Sequence, residues 1–373
     1  MADQKDLDYT YTLIDRIFRF CFGETGDFSG AKYDGDFSLT LEEAQRRKHE
    51  YIARSLHIGP ASKVLDMGCG WGSFLSYLRE LGAEAVGVTL SRGQLKSCRR
   101  NGLDVHLMDC RTIRPETFGT FDAISCVGAF EAFCSRVEWE AGRQDEVYRD
   151  FFRAVSDLLR PGRRFYMQTM IFGKNMIDVG KVDLHAAGDS AAQICGLLER
   201  QFPGHWLPSG AGQIVADAAP QFNLVEQSSG RLDYIETLKQ WRRNFMRFSF
   251  GKFLLYLTLV PKYLADRAFR ERIGRVNVEA NRLCFEREIL DHYRLVFEKP
   301  VAALSFPILP LTDRPEGDGT RKNAASRPSS GRGSSSARPP VSPPKSGPPT
   351  EGSRPSSRRS PPPQRYDSPY VEV

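Results

Sequence analysis

The nonapeptide VLDMGCGWG, Val64 to Gly72, constrains this chain more than any other stretch. A short apolar run carries Asp66, then Gly68, Gly70 and Gly72 alternate with larger residues before SFLSYLREL opens a helix. Glycines at this spacing let the backbone turn tightly and approach a ligand closely. The helix that follows offers unpaired N–H groups and the positive end of its dipole. The dinucleotide fingerprint G-x-G-x-x-G is excluded, because Ser73 stands where its third glycine is needed. The chain then alternates. AEAVGVTLS reads as a second strand, RGQLKSCRRN as a helix, DVHLMDC as a third strand and FDAISCVGAF as a fourth. EVYRDFFRAVSDLLRPG reads as a helix stopped by Pro-Gly, and RRFYMQTMIFG as a fifth strand. Strands and helices alternating at this spacing predict an α/β fold built on a doubly wound, parallel sheet.

The flanks differ in character. Residues 1–60 read as a helical segment, in which LEEAQRRKHEYIARSL is amphipathic and Thr40 with Glu43 forms a capping box. The α/β domain is expected over 61–302. Two stretches, about 172–209 and 232–290, break its alternation and are expected to fold over the carboxyl edge of the sheet as a cap. The 63 residues from Leu311 to Val373 hold 13 of the 23 prolines and cannot bury enough apolar surface to offset ordering, so a disordered tail is expected over 311–373. Most of the net charge of +6 resides there, as 11 Lys+Arg against six Asp+Glu. The tail is read as a solvated extension, with contact to anionic lipid or a partner's proline-binding groove as the sharper alternative. The folded part is near neutral and shows no basic stripe, which argues against nucleic acid as partner.

Eight cysteines without a C-x-x-C pair, several in apolar surroundings, read as reduced, buried thiols in a cytoplasmic protein. MADQKDLDYTYT has neither the basic nor the apolar region of a secretory signal, and the apolar run Phe253 to Val260 is too short to span a bilayer. The six histidines are scattered, so no metal site is expected.

VGAFEAF, Val127 to Phe133, places Glu131 in an otherwise apolar strand end. An unpartnered buried carboxylate is costly. Glu131 therefore has a polar task at the strand's mouth, or a structural one as a helix cap or ion pair. Asp109 follows the third strand, where a carboxylate suits a purine amino group; a solvated loop aspartate is the plain alternative. The second strand ends in Thr89-Leu90-Ser91 and lacks a ribose-binding acid.

The D-x-G-x-G-x-G turn resembles that of class I S-adenosylmethionine (SAM) methyltransferases. Further motifs narrow the resemblance to cyclopropane-fatty-acyl-phospholipid synthases and mycolic acid methyltransferases. VLDMGCGWG is followed by GVTLS-x-x-Q, and SLTLEEAQRRK is similar to that family's segment before the core. VGAFEAF resembles G-x-F-E-H-x, FPGHWLPS resembles F-P-G-G-x-L-P-S, and DYIETLKQW resembles H-Y-x-x-T-L-x-x-W. The similarity spans roughly residues 10 to 300. It implies a seven-stranded Rossmann-like sheet with an α-helical cap. It also implies SAM held by Asp66, Gly68, Gly70, Gly72, Thr89, Leu90, Gln94 and Asp109, with Ser29 closing from the N-terminal segment. The implied reaction is methyl transfer to a carbon of an unsaturated lipid acyl chain, leaving a carbocation that closes to a cyclopropane by losing a proton. In the family a bicarbonate ion is thought to take that proton. It sits among a Cys near the N-terminus, the Glu and backbone of F-E-H, a fifth-strand His and the Tyr of H-Y. Glu131 and Tyr234 match two of these, and Phe130, Phe133 and Tyr234 are expected to line the site and attract the cation.

Three positions depart. The Cys is Gly30, the His of F-E-H is Ala132, and the fifth-strand His is Gln168. Gly30 removes a side chain and is expected to leave room for water. Gln168 donates a hydrogen bond but shuttles no proton near neutral pH. The bicarbonate site is weakened, and cyclopropane and methyl-branched products both stay open, with Glu131 or a water as base. Two other readings stay open: a small-molecule N- or C-methyltransferase, and a SAM-binding protein without catalysis that acts through its tail. The insertion RVEWEAGRQDE lies near the expected mouth of the site or is a polar surface loop. Trp241, Arg242, Arg243, Arg247 and Lys252 surround the apolar FSFGKFLLYLTLVPKYL, a pattern that suits an anionic membrane surface or an acyl channel; a helix packed on the core is the plain reading.

Overall fold

Thr40 starts the first helix, α1 (Leu41–Ser55), with its side chain accepting from the Glu43 amide while the Glu43 carboxylate reaches back to Thr40. The computed structural model describes residues 22–23, 26–188, 190–202, 204–267, 269–270 and 278–301; the expected tail and the first part of the N-terminal segment lie outside the described residues. After α1 come β1 (Lys63–Met67), α2 (Ser73–Glu80), β2 (Glu84–Thr89), α3 (Arg92–Arg100), β3 (Val105–Leu107), α4 (Pro115–Phe118), β4 (Phe121–Val127) and α5 (Arg136–Glu140). They are followed by α6 (Gln144–Leu158), β5 (Leu159–Phe172), α7 (Ala191–Gln201), α8 (Ala211–Ala218), β6 (Asn223–Ser229), α9 (Arg231–Met246), α10 (Phe250–Ala265), α11 (Val278–Glu286) and β7 (Leu290–Glu298).

The seven strands form one sheet in the order β3-β2-β1-β4-β5-β7-β6. β7 runs antiparallel to both of its neighbours, β5 and β6, and the other pairings are parallel. The chain winds outward from β1 to β3, then returns to place β4 on the other side of β1. Open α/β sheets bind ligands in the crevice at such a reversal, outside the carboxyl ends of the strands. The turn after β1 and the turn after β4 meet there: a Cβ on Gly68 would lie 2.6 Å from the Ala129 Cβ.

One expected boundary differs. Pro161-Gly162 does not stop α6. The helix ends at Leu158, and the dipeptide lies in β5, where the register with β4 slips between Phe121 and Ala123. Proline lacks the N–H a ladder needs, so it is tolerated where pairing is already broken.

The core is aromatic. Phe130, Phe151, Phe152, Phe165 and Phe297 are buried in one cluster with the apolar residues of β1 and β4. Phe130 contacts the rings of Tyr148, Phe151 and Phe152, and Phe133 packs on Phe151. The expectation that Phe130 and Phe133 line the site is thereby corrected: their place is the packing between sheet and α6.

α10 is built inside out. Phe250, Phe253, Leu254, Leu257 and Leu264 are exposed, while Lys252 is buried. The Lys252 ammonium donates to the carbonyls of Asn244, Phe245 and Arg247, capping the C-terminal end of α9. No helix among the described residues is long and apolar enough to cross a membrane.

Candidate active site

The turn Gly68–Gly72 takes left-handed backbone at all three glycines, with φ of 82°, 57° and 80°. L side chains rarely adopt this conformation. Gly68 and Gly72 are also hemmed in, since a Cβ on Gly72 would lie 2.4 Å from Leu103, whereas Gly70 has nothing within 4 Å. Gly70 is thus the point where the backbone is open to a ligand. No side chain caps α2 behind the turn, so its first N–H groups face the crevice. The Trp71 indole nitrogen is buried there without a partner.

Asp66 lies under the turn. Burial pushes its carboxyl up to about 6, against the Ser125 hydroxyl that donates to it at 2.7 Å, and the charge of Asp27 adds to the rise. At the end of β2 the Thr89 hydroxyl donates to the Gln94 side-chain oxygen at 2.6 Å and accepts from the Ser91 amide. Leu90 is exposed beside them. Asp109 follows β3, where its carboxylate accepts from the Arg111 amide and grips the Arg111 guanidinium at 2.6 Å. These groups suit SAM: an acid for an ammonium group, an open glycine, and polar groups at the ends of β2 and β3 for a nucleoside.

A second constellation lies where β4, β5, β7, α9 and residues 29–34 converge. Glu131 sits on a short 3-10 turn after β4, and its Oε1 accepts from the Met170 amide at 2.9 Å. Its Oε2 is buried without a partner. Burial raises the Glu131 carboxyl, opposed by the Met170 N–H. Tyr234, on α9, is raised by burial and then by the charge of Glu131, which puts the two groups in one electrostatic neighbourhood. Gln168 is fully buried and holds structure at both ends of its amide, accepting from the Tyr166 hydroxyl and donating to the Gly30 carbonyl.

Gly30 leaves no room for water. The rings of Tyr234 and His292 fill that space, stacked with centroids 4.8 Å apart and planes 6° from parallel. A Cβ on Gly30 would lie 2.6 Å from Tyr234 and 3.1 Å from His292. The expectation of added space is thus overturned.

Residues 29–34 form a strap bound from several directions. The Gly30 carbonyl accepts from Gln168, the Ala31 amide donates to Thr237 and the Ala31 carbonyl accepts from Arg294. The Tyr33 and Asp34 amides both donate to Asp233. Asp233 and Arg294 are themselves a buried ion pair at 2.9 Å. Ser29 belongs to a separate buried network, in which its hydroxyl donates to Asp27 and accepts from Lys48, and His49 contacts Asp27 at 2.8 Å. Burial alone would raise the Asp27 carboxyl, but Lys48 and His49 together hold it well below the ordinary range.

The structure thus brings Glu131, Tyr234 and Gln168 to one region, but aims Gln168 at the strap. Sequence reasoning misses His292, Asp233 and Arg294. The available signal is Asp233, which stands where the resembling motif H-Y has histidine. The inserted segment packs as α5, with Trp139 stacked on Trp206 at 4.0 Å and Arg136 paired with Glu199, so it is not a free surface loop. All seven cysteines among the described residues are buried and unpaired, and no group of His, Cys, Asp and Glu among them could hold a metal ion.

The family model for mycolic acid cyclopropane synthetase matches residues 1–250. The S-adenosylmethionine-dependent methyltransferase UmaA of Mycobacterium tuberculosis is 27% identical over 241 residues, covering 63% of this chain and 79% of UmaA. A probable fatty acid methyltransferase of Pseudomonas putida is 30% identical over 311 residues, 81% of this chain and 71% of that protein. Among solved structures, mycolic acid cyclopropane synthase CmaA1 complexed with SAH and CTAB superposes with a TM-score of 0.61 at 21% identity, covering 80% of this chain and 98% of CmaA1.

Proposed function

Because the chain belongs to the mycolic acid cyclopropane synthetase family and is a SAM-dependent methyltransferase, we propose that it methylates a carbon of an unsaturated lipid acyl chain, giving a cyclopropane or methyl-branched product. The observation that carries this reading is Glu131, buried, held by the Met170 amide and left with one orphaned oxygen beside Tyr234. SAM supplies an electrophilic methyl group when bound. Asp66 would take its ammonium group, Gly70 its close approach, Thr89, Leu90 and Gln94 its ribose, and Asp109 its adenine amino group. Ser29, its hydroxyl engaged by Asp27 and Lys48, would close on SAM from the N-terminal segment.

Glu131 does two things for the acyl chain. Its charge lies where positive charge develops on the alkene carbons, and in a water-poor site that attraction is strong. Its free oxygen also accepts a proton or a hydrogen bond. The Tyr234 ring face adds cation–π attraction. For bicarbonate, only Glu131 and Tyr234 remain of the implied cradle, because position 30 has no side chain, the Ala132 N–H donates to the Ala129 carbonyl and Gln168 is engaged elsewhere.

The exposed apolar residues of α10 are the contact with an anionic bilayer that brings acyl chains to the site. A concavity of about 410 Å³ lined by Lys239, Arg242, Arg243, Met246 and Arg282 lies near the end of α9, where Glu236 pairs with Lys239 and Arg243 and Glu286 pairs with Arg282, so its lining is positive on balance.

The test is mass spectrometry of lipids incubated with purified protein and SAM. Acyl chains heavier by one CH2 are expected. Turnover of SAM with small amines and none with unsaturated phospholipid would overturn the reading.

A further inference from the structure

His292 enters the site from β7, and its packing leaves one ring nitrogen unsatisfied. It is 3% exposed. Its Nδ1 is buried without a hydrogen-bond partner. Two glycines make its socket. A Cβ on Gly230 would lie 2.7 Å from His292 Nδ1, and a Cβ on Gly30 would lie 3.1 Å from Cε1 and 3.3 Å from Nε2. One face of the ring lies flat on Tyr234. β7 pairs His292 with Met170, the residue whose amide holds Glu131. Directly opposed residues of an antiparallel pair are about 4.5–5.5 Å apart at Cα. His292 therefore stands across one strand from the anchor point of Glu131.

Two buried atoms here lack a partner, Glu131 Oε2 and His292 Nδ1. Buried polar groups are nearly always satisfied. Two such orphans, one on the ring stacked against Tyr234 and one on the carboxylate whose charge Tyr234 senses, mark a place for reacting atoms.

We propose that His292 is the group that takes the proton when the methylated acyl cation closes its ring. The proposal rests on the reading of the protein as an acyl-chain methyltransferase. The alkene π pair forms a bond to the methyl carbon of SAM as the carbon–sulfur bond breaks and its electrons stay with sulfur. The neighbouring alkene carbon is left cationic. A C–H bond of the new methyl group then breaks. Its electron pair closes the cyclopropane, and its proton goes to a ring nitrogen of neutral His292, which becomes imidazolium. A proton beside a carbocation is so acidic that a weak base suffices. Burial, followed by the charges of Arg294 and Lys48, keeps the imidazole neutral and hence ready as acceptor. The side chain missing at position 30 and the glutamine at 168 are thereby offset by a histidine from another strand.

The test uses the full-length protein, SAM carrying a trideuterated methyl group, and vesicles of unsaturated phospholipid. Wild type is expected to give mainly product retaining two deuterons, with or without bicarbonate. His292→Gln and His292→Asn are expected to release S-adenosylhomocysteine at a rate within about fivefold of wild type, while the two-deuteron fraction falls at least tenfold in favour of three-deuteron products. SAM binding by each variant, measured by calorimetry, controls for folding. Without SAM, the histidine NMR signal that disappears in His292→Gln is expected to show no titration near 6.5. An unchanged label ratio in both folded variants, bicarbonate-dependent ring closure that survives them, or a His292 signal titrating near 6.5 would each overturn the proposal. Wild-type product that retains three deuterons overturns it while leaving acyl methylation standing. No labelled acyl product from wild type overturns the acyl reading itself.

Discussion

At the scale of single residues, the site is defined by carboxylates held at unusual proton affinity. Glu131 is raised by burial, so the folded state binds its proton more tightly than the unfolded chain does. Stability is therefore lost as pH rises from the unfolded carboxyl value through the folded one. Glu131→Gln removes that penalty and keeps an oxygen for the Met170 amide. Its melting temperature at pH 7.5 is expected to equal or exceed wild type, while methyl transfer falls by about two orders of magnitude; calorimetry and release of S-adenosylhomocysteine measure the two. Asp66 gives a pH dependence of binding. Its carboxyl, at about 6 in the free protein, must be ionised to meet an ammonium group. SAM affinity is expected to rise with pH up to about 6 and to level off above it, and Asp66→Asn should bind weakly at every pH. Calorimetric titration between pH 5 and 8 decides this; a flat wild-type profile would remove Asp66 from the cofactor site. Glu131 is legible in the sequence because a lone carboxylate in an apolar run is a local anomaly. His292 is not, because DHYRL shows nothing of Gly30, 262 residues away, and the contact exists only once β7 and the strap have come together.

At the scale of elements, β1, β2, β4 and β5 were readable because strands inside a sheet are largely continuous apolar runs punctuated by turns; β3, a three-residue edge strand, was readable from its place in the alternation. β6 leaves no such trace. It is the sheet's other edge, its residues are largely exposed, and NLVEQSS carries little of the apolar signal. β7 hides for the opposite reason, since its apolar run is interrupted by His292 and Arg294, both buried through pairing and stacking. The Asp233–Arg294 pair fastens the strap to α9 and β7, and breaking one partner of a buried pair costs about 3–5 kcal/mol. Arg294→Gln is expected to lose stability of that order in urea unfolding. Amide exchange should quicken at Tyr33 and Asp34 before it does in β1; equal protection of both segments would show that the pair does not hold the strap.

At the scale of the whole molecule, the cap presents apolar side chains outward and draws a lysine inward. Leu254→Ser with Leu257→Ser is expected to leave folding intact, since both residues are exposed. Partition onto vesicles of phosphatidylglycerol should fall by about tenfold or more, and turnover of vesicle lipid should fall with it while detergent-dispersed substrate is still used. Equal partition of variant and wild type would exclude α10 as the contact. The region around Glu131 has a different consequence. Its parts come from positions 30, 131, 168, 234 and 292, and the strap is tied down by Arg294 and Asp233. Few of these contacts are local, and folds dominated by distant pairings assemble slowly. On the ribosome, the glycine turn and four of these five positions are already synthesised before β7 exists. The set is therefore brought together only once residues 290–298 have been made and have paired with β5.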